Sequence, residues 1–408
     1  MSEKSINVPG SQKEPIWNWK FIFLILITFF NGVAGNCTVP LVYTYARSFG
    51  VGPELASTTA GLMSLVSLVV CPFAGMLADK ISRKWILVFA NLGYGICLVL
   101  HTVCTNIEML IVMRLLTGIF FSVCSVTNIA FAASFIPKAR TGEGLGYISL
   151  AQIISQTVGL SIGLIPQDKL PFHTIFLLAG ILPFVVIGLL LPLKYVREEP
   201  APDAPKRQKF SLKNLYAPEL TLFMLMAALF SAGNGMVSTY LKEIAAVREI
   251  ARISLFSWIY SAFLIAIRPF TGKLLDRKGV FIILIPSFVF ASLGMIFIGL
   301  APSLGMILAA AVFKALGQGN GQPSIQARAV KELPKERSGV ASSTVMIGQN
   351  VGNAVAPIIG SFFVSDSYYG HRNLFVGFGV ILVVGGLLLL FGQWRLEKRK
   401  EERGAVNA

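Results

Sequence analysis

A short charged stretch that separates two long apolar runs, and that occurs twice, constrains the fold of this chain most. The first copy, Pro72–Lys84, reads PFAGMLADKISRK, and the second copy, Arg268–Gly279, reads RPFTGKLLDRKG. Matched residues in the two halves of the chain are separated by 197 positions. The matched pairs are Pro72 and Pro269, Gly75 and Gly272, Asp79 and Asp276, Pro137 and Pro334, Arg140 and Arg337, Gly142 and Gly339, Gln152 and Gln349, and Gly163 and Gly360. This constant spacing predicts two copies of one unit, each about half of the chain.

The apolar runs between the charged stretches reach the roughly 20 residues that a helix needs to span a bilayer. Hydrophobic residues make up 54% of the 408 residues and charged residues only 13%, whereas a soluble domain carries about 25% charged residues. Because lipid offers the backbone no hydrogen bonds, each span is predicted as an α-helix. The composition therefore predicts an all-α, polytopic membrane protein.

Twelve apolar segments are predicted as transmembrane helices. Their bounds are 18–42, 56–79, 85–105, 108–134, 142–165, 173–195, 218–241, 253–275, 279–300, 303–327, 339–364 and 373–394. Residues 196–217, between the sixth and seventh segments, are rich in proline and charge, which is typical of a linker. This linker is predicted to divide an N-terminal six-helix bundle, residues 1–195, from a C-terminal one, residues 218–408.

The net charge of +15 would suit a nucleic-acid ligand, but the placement of the cations favours a membrane topology. Most of the 35 Lys and Arg residues lie in alternate loops, with Lys242, Arg248 and Arg252 as exceptions. The cation-rich segments are Lys80–Lys84, Lys138–Arg140, Lys194–Lys213, Lys273–Lys278, Arg328–Arg337 and Arg395–Arg403. Since cytoplasmic loops carry the excess of Lys and Arg, both termini and the linker are predicted to be cytoplasmic. The expected location is the cell membrane, with the lipid bilayer as partner and no nucleic acid.

The charged stretch also carries a family resemblance. Gly75–Lys84, GMLADKISRK, resembles the helix 2–3 loop signature of the major facilitator superfamily, G-x-L-A-D-R-x-G-R-K, and Gly272–Gly279 repeats part of it. Arg114–Gly118, RLLTG, is similar to the helix 4 motif of that family, R-x-x-x-G. The resemblance implies twelve helices in two pseudo-symmetric six-helix bundles, which rock about a central site to give alternating access.

The two charged stretches are interpreted as a conformational latch. A carboxylate at the cytoplasmic end of helix 2 or 8 can accept hydrogen bonds from a neighbouring helix N-terminus, or pair with an Arg, in one conformation only. Such a latch would hold the outward-facing state; the alternative is a solvated loop that only sets topology. The latch residues are Gly75, Asp79, Arg83, Gly272, Asp276 and Arg277.

Two cations, Arg114 and Lys314, lie inside otherwise apolar runs. A charge at that depth costs at least a few kcal/mol, so such residues usually face a water-filled cavity; the alternative is that they snorkel to an interface. No carboxylate lies at comparable depth in the sequence. A bound anion would offset the cost of these cations, so an anionic substrate is predicted and lipophilic cations are expected to be poor substrates.

Amide side chains are dense in the predicted spans. In proteins that this chain resembles, helices 1, 4, 7 and 10 line the central cavity, where amides would hydrogen-bond a polar substrate. The alternative is that they hold helices together, at about 1 kcal/mol apiece. The predicted cavity residues are Asn31, Asn36, Arg114, Gln152, Gln156, Asn234, Lys314, Gln318, Asn320, Gln322, Gln349 and Asn353.

Small residues recur every four positions on helices 5 and 11, a spacing that lets helices approach closely. The segment Gly352–Gly360, GNAVAPIIG, resembles an antiporter motif that the family usually carries in helix 5, where this chain has Leu160 in place of proline. The predicted packing and hinge residues are Gly159, Gly163, Gly352, Pro357 and Gly360.

The remaining chemistry is sparse. The five cysteines have no metal spacing and fall in or beside apolar runs, so neither a metal nor a cofactor is expected. We predict a monomeric secondary transporter that exports a small polar or amphipathic organic molecule, with the proton as candidate coupling ion. Import of a sugar or organic anion, or efflux of lipophilic cations, are the alternatives. A more distant alternative is an intramembrane enzyme or receptor, which would need a titratable catalytic cluster in the membrane.

Overall fold

The computed structural model describes residues 17–136, 141–194, 216–278, 280–334, 337–364 and 368–406. Within these ranges the secondary structure consists of twelve α-helices and a few 3-10 turns, without strands. The helices are α1 (Trp19–Ser48), α2 (Pro53–Lys80), α3 (Arg83–Leu100), α4 (Ile107–Ala133), α5 (Thr141–Gly163), α6 (Phe172–Leu190), α7 (Thr221–Val247), α8 (Leu255–Lys278), α9 (Phe281–Leu300), α10 (Leu304–Glu332), α11 (Ser338–Ser361) and α12 (Tyr368–Val406). The predicted all-α fold class is confirmed. Residues 195–215, which hold most of the predicted linker, lie outside the described residues.

Helix packing repeats between the two halves of the chain. The contacts of α1 with α5, of α3 with α4 and of α3 with α6 recur, six helices later, as α7 with α11, α9 with α10 and α9 with α12. The halves meet where α2 packs on α11 and where α5 packs on α8. These two contacts are equivalent, because α8 is the counterpart of α2 in the second half and α11 is the counterpart of α5. This is the pseudo-symmetric pair of six-helix bundles that the repeat predicts.

Eight helices of the described chain are long and apolar enough to cross a membrane, and α5, α10 and α11 fall short of that measure. The side chains of α8 are described over Leu255–Ile267, and this part of the helix is apolar. Helices α10 and α11 carry several amides and glycines, and α5 packs on α8 of the other half. Helices that face a polar interior between the halves need less apolar surface than helices that face lipid, which explains the lower apolar content of α5, α10 and α11.

The bundle has two ends, named here the terminal end, where α1 begins, and the far end, where α1 ends and α2 begins. The outer face is apolar, with side chains such as Phe89 and Leu388 about two-thirds exposed. Trp17, Trp19 and Trp85 are half-exposed at the terminal end. Exposed Trp side chains at one level are typical of a membrane interface.

Some helix bounds differ from the sequence prediction. Helix α1 continues to Ser48 rather than ending at 42, and α12 continues to Val406 rather than ending at 394. The last turns of α12 are charged, and Gln393 donates to Glu397, one turn on. Hydropathy detects only the apolar part of such a helix, whereas the backbone hydrogen bonds continue into the aqueous phase.

Glycines set the closest approaches between helices. A Cβ at Gly163 on α5 would collide with the carbonyl oxygen of Cys37 on α1, and a Cβ at Gly352 on α11 would collide with that of Ala228 on α7. The two contacts belong to equivalent helix pairs, α1–α5 and α7–α11. Backbones can pack this closely only where no side chain stands between them.

Candidate functional site

The two halves are joined by hydrogen bonds in the far half of the bundle. The Oγ of Ser57, in the first turns of α2, lies 2.8 Å from the hydroxyl oxygen of Tyr240 on α7. The Tyr240 ring packs edge-on against Tyr43 of α1, with centroids 5.2 Å apart, and its hydroxyl donates to the carbonyl of Pro357 on α11 at 2.6 Å. Tyr240 of α7 therefore contacts three other helices at the far end: α1 and α2 of the first half and α11 of the second.

A buried lysine adds a second link at the far end. The ammonium of Lys242 on α7 donates to the carbonyl oxygens of Gly163 and Ile165, at 2.9 and 3.0 Å. These carbonyls are at the C-terminal end of α5, where helix carbonyls lack intrahelical partners and the helix dipole favours a cation. Among described residues, the remaining hydrogen bond between the halves joins Thr157 of α5 to Ser261 of α8, also in the far half.

The largest described cavity lies between the halves, from the middle of the bundle toward the terminal end, and has a volume of about 610 Å³. Helices α4, α5, α7, α8, α10 and α11 contribute to its wall. Its lining residues include Ser149, Gln152, Gln156, Asn234, Tyr260, Gln318, Gln322, Gln326, Met346 and Gln349. A closed far end and a cavity in the terminal half together describe a transporter state that is sealed at the far end.

Lys314 of α10 lies behind the wall of this large cavity, with only 4% of its surface exposed. Its ammonium donates to Oδ1 of Asn234 at 3.0 Å and to Oε1 of Gln318 at 2.5 Å, and it lies 4.6 Å from the centroid of the Tyr260 ring. No ion pair between described residues involves Lys314. A buried ammonium is thus held by amide oxygens and an aromatic face alone.

The Lys314 ammonium also orients the amides around it. Because Asn234 and Gln318 turn their oxygens toward the ammonium, their NH₂ groups turn away from it. The NH₂ of Gln318 donates to Oε1 of Gln322 at 3.4 Å, and the NH₂ of Gln322 donates to Oγ of Ser231 at 3.1 Å. The NH₂ of Asn234 makes no hydrogen bond with the described chain, and Asn234 lines both this cavity and a smaller one described below. The wall near Lys314 is therefore rich in donors.

A second cavity of about 260 Å³ lies farther toward the far end. Arg114 of α4 forms part of its wall and is 1% exposed. One of its nitrogens, Nη2, donates to the carbonyl of Ala60 at 3.3 Å, while Nε and Nη1 have no partner among the described residues. Gln156 and Asn234 line both this cavity and the large one, so the two cavities share a wall.

A third cavity of about 280 Å³ lies within the N-terminal half, between α1, α4 and α5. Asn128 donates to the hydroxyl of Thr28 across it at 3.0 Å. Asn31 lines it, and neither polar atom of its amide has a hydrogen-bond partner in the described part of the chain. Asn36 lines this cavity and the Arg114 cavity, and its NH₂ donates back to the carbonyl of Gly32.

The predicted cavity residues are thus largely brought together. Asn31, Asn36, Arg114, Gln152, Gln156, Asn234, Gln318, Gln322, Gln349 and Asn353 line one or more of the three cavities. Asn320 is not among the described lining residues, and its NH₂ donates to the carbonyl of Leu316. Residues two apart on a helix point about 200° away from each other, so Asn320 cannot share the face of Gln318 and Gln322.

The predicted latch falls mostly outside the described part of the chain. The backbone of Gly75 and Asp79 lies in the last turns of α2, and that of Gly272, Asp276 and Arg277 in the last turns of α8. Their side chains lie outside the described residues. Arg83 is described at the first position of α3. The latch therefore stays a prediction.

The predicted packing residues lie at helix contacts. Gly159 and Gly163 face the backbone of α1, and Gly352 faces the backbone of α7. Gly360 lies against side chains of Leu374 and Met236. The carbonyl of Pro357 accepts the Tyr240 hydroxyl and thereby joins the far-end contacts.

Several residues of this site are not evident from the sequence. Lys242 and Arg248 interrupt the charge pattern of the loops because both cap helix C-termini; Arg248 donates to three carbonyls at the end of α9. His371 and Glu243 form a partly buried pair at the far end, 3.2 Å apart. The sequence distinguishes the two capping cations, Lys242 and Arg248, in one way: they lie on the side of the membrane where the other loops carry few Lys or Arg residues. Among described residues, no group of His, Cys, Asp and Glu could hold a metal ion.

Comparison with known proteins places the chain in a family. The profile of the Major Facilitator Superfamily matches residues 24–301 and 223–408. Multidrug resistance protein MdtG of Enterobacter lignolyticus (strain SCF1) is 27% identical over 403 residues, which covers 93% of this chain and 92% of that protein. The Staphyloferrin B transporter of Staphylococcus aureus (strain NCTC 8325 / PS 47) is 25% identical over 397 residues, with 92% and 93% covered.

Solved structures show the same fold. The nucleoside transporter NupG matches with a TM-score of 0.72 and 13% identity, covering 91% of this chain and 99% of that one. A bacterial homolog to the human lysosomal transporter Spinster, in an inward-facing and unoccupied conformation, matches with a TM-score of 0.74 and 14% identity, with 93% and 97% covered. Together with the profile, these matches confirm a transporter and not a membrane enzyme: the chain belongs to the Major Facilitator Superfamily and is a secondary transporter.

Proposed function

We propose that this transporter exports a small organic anion from the cytoplasm by alternating access. The observation that carries the proposal is the environment of Lys314, a buried ammonium with two amide oxygens and an aromatic face, and with no carboxylate contact among the described residues. Removing a charge from water without an opposite charge costs several kcal/mol. An acidic group of the substrate, bound in the large cavity in front of Lys314, would offset that cost.

The donor pattern of the wall supports the same charge. The NH₂ of Asn234 has no partner in the described chain, and Gln318 and Gln322, which line the cavity, form a hydrogen-bonded chain from the ammonium to Ser231. A carboxylate accepts several hydrogen bonds and donates none. Tyr260 would add an aromatic surface for an amphipathic body, and Gln152, Gln349 and Gln326 would bind hydroxyl or amide groups of the substrate.

The sidedness of the protein belongs to the proposal as well. The cation-rich loops lie at the terminal end, so that end would face the cytoplasm and both termini with it. The state described above is then inward-facing, ready to load from the cytoplasm. Residues 1–195 and 218–408 would form the two rocking bundles, joined by the linker 196–217, in a monomer surrounded by lipid.

A second candidate is efflux of lipophilic cations. It is favoured by the relatives of this chain, because several of them bear the name multidrug resistance protein MdtG. Aromatic surface at Tyr260 would suit a flat cation, but the ammonium of Lys314 already lies over that ring. A second positive charge there would be repelled by Lys314. Import of a sugar or organic anion uses the same cavity and differs only in direction.

Flux measurements in proteoliposomes separate these functions. Purified protein would be tested with organic anions and with ethidium, with and without a pH gradient, because the proton is the candidate coupling ion. Lys314→Gln should raise the apparent KM for a transported anion about tenfold, since a contact to a charged group contributes about 1.5–3 kcal/mol. Lys169→Gln, a matched loss of charge at an exposed far-end position, should leave the KM unchanged. Strong ethidium transport together with a silent Lys314→Gln variant would replace the anion proposal with multidrug efflux.

A further inference from the structure

The guanidinium of Arg114 has more hydrogen-bonding capacity than the described chain satisfies. It is almost fully buried, its single described partner is the carbonyl of Ala60, and Nε and Nη1 are unpartnered. A buried guanidinium with two open donors is unstable unless another group or water completes it. Both open nitrogens belong to a side chain in the wall of the 260 Å³ cavity.

The wall of this Arg114 cavity fits an anion. Its described lining includes no Asp or Glu, whereas amides and hydroxyls surround Arg114. These polar residues are Asn36, Ser64, Ser67, Gln156, Asn234, Ser238, Thr239, Asn350 and Asn353. Arg binds a carboxylate or phosphate through two parallel N–H···O bonds, which a guanidinium offers as two forks, Nε with Nη2 and Nη1 with Nη2. Nη2 carries two hydrogens, one in each fork, and the Ala60 carbonyl takes one of them. Because Nε and Nη1 are both open, the other fork stays complete and can bind an anion.

The position of the cavity connects it to the site in front of Lys314. Gln156 and Asn234 belong to the walls of both cavities, and the oxygen of Asn234 is already bound to Lys314. A molecule in the large cavity that extends past these two amides reaches the Arg114 cavity. The two cavities are thus adjacent, with these two amides between them, and the two buried cations lie on the equivalent helices α4 and α10 of the two halves.

We infer that the Arg114 cavity is a second anion subsite, which binds a second acidic group of the transported molecule. The substrate class is then an organic molecule with at least two carboxylate or phosphate groups, one near Lys314 and one on Arg114. The inference depends on the proposed anion transport only for the acidic group near Lys314, and not for the group on Arg114. Arg114 would distinguish dianions from monoanions, while Lys314 would bind both.

Binding to the purified full-length protein tests the subsite without transport. The probes are straight-chain α,ω-dicarboxylates of four to eight carbons, each compared with the monocarboxylate of equal length at constant ionic strength. A ligand that binds only the folded state raises the unfolding temperature, and at equal concentration the tighter ligand raises it more, so the concentration dependence of the shift gives the Kd. At one or more chain lengths the dicarboxylate should bind about tenfold or more tightly than its monocarboxylate, the gain expected for one further contact to a charged group.

The variants decide whether Arg114 provides that difference. Arg114→Gln should abolish the preference for the dicarboxylate, and Lys169→Gln should retain it. Ser64→Leu fills the cavity but keeps Arg114, so it should also abolish the preference and serves if Arg114→Gln does not fold. A preference that survives these changes, or its absence from the unchanged protein at every chain length, would overturn the inference and leave water as the partner of Arg114.

The same measurement separates failure of the subsite from failure of the proposed function. If Lys314→Gln leaves monocarboxylate binding unchanged while Arg114→Gln removes the dicarboxylate preference, the role of Lys314 is wrong and the subsite stands. If Lys314→Gln weakens both ligands and Arg114→Gln affects neither, anion binding at Lys314 stands and the subsite is wrong.

Discussion

The ammonium of Lys242, on α7 of the second half, lies 2.9 Å from the carbonyl oxygen of Gly163, the last residue of α5 in the first half. This hydrogen bond closes the far end in a way that alternating access must undo, because opening the far end separates α7 from α5. Lys242 is 7% exposed, so the bond is little weakened by water. The far-end closure therefore depends on a charge-assisted hydrogen bond.

We predict that Lys242→Met shifts the conformational equilibrium toward the state that is open at the far end. Methionine keeps the length and apolar stem of the lysine but loses both hydrogen bonds to the α5 carbonyls. A hydrogen bond to a charged group contributes about 1.5–3 kcal/mol, so a shift of about tenfold or more is expected. Spin labels at Leu55→Cys and Leu255→Cys, exposed at the far ends of α2 and α8, should report longer distances.

Two comparisons make the Lys242 result specific. Lys169→Met alters an exposed lysine in the neighbouring far-end loop and should leave the distances unchanged. Lys242→Arg retains donors to the same carbonyls and should restore much of the closed population. An unaltered distance distribution in Lys242→Met would show that Tyr240 and its neighbours close the far end without the lysine.

We predict that the terminal end faces the cytoplasm. In a background without the five native cysteines, an impermeant thiol reagent should label Asp168→Cys, in the exposed loop after α5, in intact cells. The same reagent should label Asp203→Cys, in the predicted linker, only after the membrane is permeabilised. Labelling of Asp203→Cys in intact cells would invert the topology and turn the proposed exporter into an importer of the same cargo.

The sequence predicts much of this fold because membrane burial makes polar residues conspicuous. Asn234, Lys314 and Gln318 stand out as polar residues inside apolar runs, and the structure brings both amides within hydrogen-bond distance of the Lys314 ammonium. Each would be costly in contact with lipid, so its presence indicates an interior position. The offset of 197 residues similarly predicts the repeated helix packing.

Contacts between the halves could not be predicted in this way. The bond from Lys242 to Gly163 depends on how two distant helices dock, and the sequence alone makes Lys242 a cation of a far-end loop. Tyr240 is one of ten tyrosines, and nothing in its local sequence marks it as the link between three helices. Residue type alone also does not show which face of α10 a polar side chain takes: the position of Asn320 between Gln318 and Gln322 turns it to the opposite face.

We predict opposite effects for alanine at two glycines. Gly352→Ala should lower the melting temperature of the purified protein, because its Cβ would collide with the carbonyl oxygen of Ala228 and separate α11 from α7. Gly377→Ala, on α12, meets no atom within 4 Å and should raise the melting temperature slightly, since Ala stabilises a helix interior by about 1 kcal/mol relative to Gly. A stabilising Gly352→Ala would mean that α7 and α11 relax apart at no cost.

We predict that Asp79→Asn shifts the equilibrium in the direction opposite to that of Lys242→Met. If Asp79 acts as a latch at the terminal end, its carboxylate has partners mainly in the outward-facing state, and neutralising it moves the population by about 1–3 kcal/mol toward the inward-facing state. Spin labels at Ile81→Cys and Ser343→Cys, near the terminal ends of α2 and α11, should then report longer distances, while transport falls and expression stays near normal. Asp276→Asn should do less, because the second copy of the motif lacks the trailing Arg-Lys pair.

Since Asp79 and Lys242 act at opposite ends of the bundle, their effects should add, and the double variant should return toward the distances of the unchanged protein. Unchanged distances and flux in Asp79→Asn would reduce the motif to a topology signal, and a double variant that resembles either single one would show that the two ends are not coupled through one equilibrium.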